Sequence, residues 1–133
     1  MSEDSVEIVR RWFNALAEGD PAPEICDPEI EIQNWAESPL PGPYFGHDGL
    51  RQWWSDVADA FEDVRFELLD IEAVDERRCL TVQRLVGRFR TTGIVVDGAW
   101  GAIVTVRDGR ILSAVGYATP KRARHAAGLD PLA

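Results

Sequence analysis

The sequence predicts an α+β fold, with helices first and a run of long strands after them. Three observations carry that reading. Apolar residues recur at helical spacing in two stretches, both before residue 63. From Val64 the period changes to two. The period-two stretches are separated by turn sequences, and Asp108-Gly109 between two of them is a strong hairpin signal.

In chain order, Asp4 followed three residues later by Glu7 resembles a capping box. Val6, Ile8, Val9, Trp12, Phe13, Leu16 and Ala17 then follow helical spacing, and Gly19 suits the position just past the helix end. Pro21, Pro23 and Pro28 allow at most one short helical turn, around Glu24 to Cys26. Residues 29–35 alternate and read as a strand, with Ile30, Ile32 and Asn34 on one face. Three prolines and two glycines between Ser38 and Gly46 predict a loop, although it carries Tyr44 and Phe45. Residues 47–62 read as the second helix, with Leu50, Trp54, Val57 and Phe61 as its stripe and Trp53 and Ala60 beside it. Strands follow at about 64–74, 79–90, 95–107 and 110–119, and a short terminal helix at 121–127 is closed by Gly128. A sheet with its helices on one face can curl around them. It then forms a cone whose mouth is lined by helix aromatics and inward strand residues.

The chain has 133 residues, which predicts one domain spanning 1–133. A formal charge of −9 argues against an electrostatic nucleic-acid binder. The charge is uneven: residues 1–63 hold 15 acids and three bases, whereas residues 64–133 hold eight acids and 11 bases. We assign the acidic excess to the solvated faces of the two helices. A hydrophobic content of 45% argues against disorder. No apolar run reaches membrane-spanning length. The acidic Met1-Ser2-Glu3-Asp4 start lacks a signal-peptide pattern, and only Cys26 and Cys79 occur, so the expected compartment is the cytoplasm.

Phosphate-binding, dinucleotide-binding, zincin and nucleophile-elbow motifs are absent from the sequence. Two His and two Cys, far apart, give no metal-ligand pattern, so neither metal nor cofactor is expected. General acid–base chemistry in an apolar pocket remains. It needs a carboxylate or Tyr kept from water, where desolvation moves its pKa toward neutrality. The candidates are Asp97, early in a long strand, with Tyr44 and Tyr117, whose phenols could donate to a bound carbonyl. Glu72 is a further carboxylate to place. Arg84 and Arg88 share a strand face, which is either the cone lining or a solvated outer surface. Trp12, Trp53, Trp54 and Trp100 are core residues or ligand platforms.

The chain resembles SnoaL-like domains of the nuclear transport factor 2-like (NTF2-like) superfamily. The residues that carry the resemblance are 9–20 (VRRWFNALAEGD), 44–54 (YFGHDGLRQWW), 104–111 (VTVRDGRI) and 126–129 (AAGL). It implies a cystatin-like cone, a curved antiparallel sheet wrapped around the N-terminal helices, and a homodimer formed through the sheet. It does not select an activity, because the superfamily hosts isomerases, cyclases, hydrolases and non-catalytic binders. The ketosteroid isomerase set is an Asp base with a Tyr and a protonated Asp as oxyanion hole. By the resemblance these three positions correspond to Asn34 for the base, Trp12 for the Tyr and Ala102 for the protonated Asp. The acid/base Asp of SnoaL-type polyketide cyclases falls at Gly116 or a neighbour, and no acid occurs between Arg110 and Thr119.

Three readings follow from the sequence. The first is a cone protein that binds a small, largely apolar molecule, with Trp12, Asn34, Tyr44, Trp54, Trp100, Ala102 and Tyr117 as the ligand-binding candidates. The second is an isomerase, cyclase or hydrolase of the same fold that uses a displaced group such as Asp97, Tyr44 or Tyr117. The third is a dimer-forming interaction module whose cone is packed shut. An open pocket without a carboxylate favours the first, a carboxylate and a Tyr converging inside favour the second, and a cone filled by tryptophans favours the third.

Overall fold

The structure, a computed structural model, describes residues 2–36, 38, 40 and 42–129, with side chains from Ser5 onward. The elements are α1 (Ser2–Ala17), a 3-10 turn (Pro23–Ile25), β1 (Cys26–Gln33), β2 (Tyr44–Phe45), α2 (Gly46–Ala60), β3 (Phe61–Ala73), β4 (Arg78–Phe89), β5 (Val95–Arg107), β6 (Arg110–Tyr117) and α3 (Pro120–Ala126). The six strands form one curved, unclosed sheet in the order β2-β1-β6-β5-β4-β3. The α+β cone predicted from the sequence is therefore present.

α1 and α2 lie in the concave side of the sheet. Val9, Trp12, Phe13 and Leu16 of α1 are buried, a spacing that puts one stripe on the strands. Helix α1 starts at Ser2, so Asp4 falls in its first turn instead of at its cap. In α2 the fully inward residues are Leu50, Trp53 and Val57, and Trp54 stands at the flank. α2 passes directly into β3 at Phe61, whose extended backbone (φ −126, ψ 142) ends the helix while its N–H still bonds Val57 O. The second helix therefore stops two residues before the predicted end.

Three features differ from the sequence expectation. First, β1 begins at Cys26 and runs through Pro28, where a break was expected. Its register with β6 shifts between Cys26 and Glu31, and a residue without an N–H is tolerated where the ladder is interrupted. Second, Tyr44 and Phe45 form a short edge strand within the expected loop, because they run antiparallel to β1 with Tyr44 opposite Ile32. Third, the sheet is not wholly antiparallel, since β1 pairs in parallel with β6, from Cys26↔Ile111 to Gln33↔Val115.

α3 packs on the opposite, outer face. Thr119 caps it by accepting from Arg122 N at 3.1 Å. Ala123 and Ala127 pack with Leu80 and Ile103 in a second, smaller core. Gly101 makes this docking possible: a Cβ there would lie 2.6 Å from the Ala123 Cβ.

Candidate functional site

The inner face of the sheet does not close on the helices along its whole length. Between α2, β3, β4 and β5 lies a cavity of about 240 Å³. Trp53 and Val57 of α2 cover it, Phe61 and Phe66 of β3 and Leu85 and Phe89 of β4 form one side, and Val96, Gly98 and Trp100 of β5 form the floor. Asn34, Trp35, Ser38 and Leu40, which follow β1, close the other side. Among the described residues, none of those that line it is ionisable. The described lining side chains that carry polar groups are Asn34, Ser38 and the tryptophans Trp35, Trp53 and Trp100, the last with its indole N–H buried.

Deeper in the cone is a second space of about 20 Å³, bordered by Trp12, Asn34, Trp100, Ala102 and Gly116. It has room for about one water molecule. Asn34, Trp53, Phe66 and Trp100 border both spaces. The three positions that correspond to the isomerase acid–base set, Trp12, Asn34 and Ala102, thus converge on one point, but none carries an acid or a base. At Gly116 a Cβ would meet the Trp100 ring at 3.3 Å and the Trp35 ring at 3.4 Å. Those two indoles pack with centroids 5.6 Å apart. They occupy the space into which an acid on the last strand would project.

The titratable candidates lie elsewhere. Asp97 is on the outer face, where its carboxylate receives Arg84 Nε and Nη2 at 2.8 Å each. That hydrogen-bonded guanidinium holds its carboxyl below the usual range, so Asp97 is an ionised surface partner and not a proton acceptor in the cone. Arg84 and Arg88 are exposed on the same outer face, which settles the choice between lining and solvated surface. Glu72 also faces outward and accepts from Arg124 Nη1 of α3 at 2.8 Å. Tyr117 is directly opposite Gly101 and packs against the α3 core, outside the cone. Tyr44 is buried, but its phenol donates to Asp56 Oδ2 of α2 at 2.7 Å. Burial, followed by that carboxylate, pushes its pKa well above the ordinary tyrosine value. Tyr44 therefore fastens β2 to α2 and borders neither space.

Of the tryptophans, Trp54 donates its indole N–H to Gly19 O at 3.1 Å and tethers α2 to the end of α1. Trp12 donates to Pro21 O at 3.0 Å. Trp100 Nε1 is buried without a hydrogen-bond partner among the described residues, as is Gln83 Oε1 on the facing position of β4. Burial pushes the Cys26 thiol up to about 12 and the Cys79 thiol up to about 11. Among the described residues no group of three or more His, Cys, Asp or Glu could hold a metal ion. No helix is long and apolar enough to cross a membrane.

Sequence reasoning did not single out Trp35, Phe66, Leu85, Phe89 or Gly98 as lining, and it ranked Trp54 above Trp53. The spacing Leu50–Trp53–Val57 was available as a stripe, but Leu50–Trp54–Val57–Phe61 fits helical period equally well. Only the end of the helix at Ala60 separates the two.

A cone with helices in its concave face and an apolar cavity beneath them defines the NTF2-like class of proteins. The chain belongs to the SnoaL-like domain family, whose family model matches residues 9–114. Among solved structures it is similar to an NTF2-like protein from Burkholderia xenovorans LB400, at 25% identity with a TM-score of 0.73 over 86% of this chain and 88% of that one. A candidate polyketide cyclase from Sinorhizobium meliloti matches at 22% identity with a TM-score of 0.69, over 88% of this chain and 99% of that one. TerC, co-crystallised with polyporic acid, matches at 14% identity with a TM-score of 0.73, over 86% of this chain and 90% of that one. A comparison with curated proteins gave no match.

Proposed function

We propose that this chain binds a small, uncharged, largely apolar molecule in the 240 Å³ cavity and does not act on it by acid–base chemistry. The observation that carries this reading is the lining, which is built mostly from aromatic and aliphatic side chains and, among the described residues, holds no ionisable group. General acid–base catalysis needs a titratable group within hydrogen-bond reach of the reacting atom. Asp97, Tyr44 and Tyr117 are each turned away or engaged elsewhere. Trp12 and Trp100 fill the inner end of the cone, but the outer end remains open. The volume falls below the roughly 300–1,000 Å³ of drug-sized sites, which suits a compound of one or two rings. TerC, crystallised with polyporic acid, lends the precedent of an organic molecule with this fold, and that likeness extends to the fold alone.

The test is native mass spectrometry of protein purified from its own host, with thermal-shift measurements across uncharged one- and two-ring aromatic and alicyclic compounds. A co-purified small molecule, or a stabilising compound, is expected. If neither appears, the binding reading fails. Turnover of such a compound that is lost in Asn34→Ala or Trp100→Phe would overturn the non-catalytic part.

We also propose that two copies pair through the part of the outer sheet face that α3 leaves uncovered. Support comes from exposed Val95 and half-buried Val82 and Val86, beside the Arg84–Asp97 pair. Sedimentation equilibrium showing only monomer at tens of micromolar, where a stable pair would form, would refute this.

A further inference from the structure

Four glycines lie within the long strands β4, β5 and β6, where glycine is unfavourable relative to alanine. Three of them are explained by what occupies the missing side chain's place. At Gly87 a Cβ would meet the Phe61 ring at 3.3 Å, at Gly101 the Ala123 Cβ, and at Gly116 the Trp100 and Trp35 rings. Gly98 is different. A Cβ there would meet no atom of the described residues within 4 Å, its φ lies outside the left-handed region that favours glycine, and the residue is exposed at the open side of the cavity. It is paired with Leu85 of β4, and both border the cavity. Its two same-face neighbours on β5 are Val96 and Trp100, which border the cavity as well.

Neither backbone geometry nor packing inside the chain therefore accounts for a glycine at 98. A glycine inside a strand often marks a place where a ligand approaches the backbone closely. We propose that Gly98 is the specificity-determining residue of the cavity: it keeps the floor bare so that the bound molecule lies directly on the β5 backbone between Val96 and Trp100. This rests on the binding reading above. The adjacent strand positions support it, since Leu85 and Phe89 wall one side and would hold a molecule over residue 98. A side chain at 98 would project into open space at the cavity, which a bound molecule would otherwise take, so its size limits the ligand accepted.

The experiment is a size series, Gly98→Ala, Gly98→Val and Gly98→Phe, in the full chain. Two readouts are taken, the melting temperature without ligand and the affinity for 2-naphthol followed by its fluorescence. Because a Cβ here meets no atom of the described residues, Gly98→Ala and Gly98→Val are expected to raise the melting temperature by about 2–4 °C. Affinity for 2-naphthol is expected to fall a few-fold for Ala, about ten-fold or more for Val, and to vanish for Phe. A lower melting temperature in Gly98→Ala would reveal a structural reason for the glycine and overturn the proposal, even with binding intact. A wild-type chain that takes up no 2-naphthol would count against the binding reading and take the Gly98 proposal down with it, whereas wild-type binding left unchanged across the series would fail the Gly98 proposal alone.

Discussion

Replacing each of three tryptophans by phenylalanine separates hydrogen bonding from burial, because the perturbation is the same and only the fate of the indole N–H differs. Each change removes a comparable piece of ring, about 1 kcal/mol where it is fully buried. Trp12 is buried and its N–H satisfies Pro21 O. Removing it strands that carbonyl, which adds about 1–3 kcal/mol, for a total near 2–4 kcal/mol. Trp54 is half-buried, and water can replace its bond to Gly19 O, so about 1 kcal/mol is expected. Trp100 is the reverse case. Its N–H is buried without a partner among the described residues, so phenylalanine relieves a desolvation cost of about 1–3 kcal/mol that offsets the lost contact. The expected order of melting temperature is Trp100→Phe at or above wild type, then Trp54→Phe, then Trp12→Phe. At about 4 °C per kcal/mol, Trp12→Phe should lie roughly 8–15 °C below wild type. Calorimetry and urea titration both read this. If Trp100→Phe proves as costly as Trp12→Phe, the reasoning about the unpaired indole is wrong.

Three further outcomes are expected. The carboxyls of Asp27, Asp75 and Asp97 are held below their ordinary values: Asp27 chiefly by the Glu29 N–H, Asp75 by Arg78 and Asp97 by Arg84. A folded-state value below the unfolded one contributes stability above the unfolded pKa of about 3.9 and loses it as pH falls below that, so urea midpoints should drop steeply in acid and Asp27→Asn should flatten that limb. Both thiols are raised by burial, so thiol-reactive dye at pH 8 should label Cys26 and Cys79 far more slowly in the native chain than in urea; native labelling at the unfolded rate would contradict their burial. Gly101→Val puts carbon where Ala123 and Pro120 already sit, and should cost about 1–3 kcal/mol and speed amide exchange in α3 while leaving 2-naphthol binding intact, because α3 lies outside the cone; unchanged exchange would refute the docking role of Gly101.

Local rules made much of the fold legible. The α1 stripe, the Asp108-Gly109 hairpin and the short last helix between Pro120 and Gly128 each rest on nearby signals. What stayed hidden depends on distant partners. Tyr44-Phe45 becomes a strand only because Glu31 and Ile32 are there to receive it. The inward face of β4 and β5 was hard to assign because α3 buries part of the outer face too. Residues 101–104 are consequently all buried, and alternation disappears where it would have been diagnostic. The site was the least legible part. Its positions Trp12, Asn34 and Ala102 could be placed through the family resemblance. Gly98, by contrast, owes its role to space left empty around it, and a list of residues does not record empty space.

The parallel pairing of β1 with β6 also fixes when the site can exist. Asn34 and Trp35 reach the cavity from the end of β1, and β1 with its short partner β2 joins the rest of the sheet only through residues 111–115, some eighty positions later. A ribosome must therefore deliver nearly the whole chain before that wall can be set. Until then β1 and the inner aromatics have no completed sheet to cover them. Such distant pairing slows folding and prolongs exposure of apolar surface. The cavity should consequently be among the last features to appear during refolding, with 2-naphthol fluorescence lagging behind the far-ultraviolet signal of the helices.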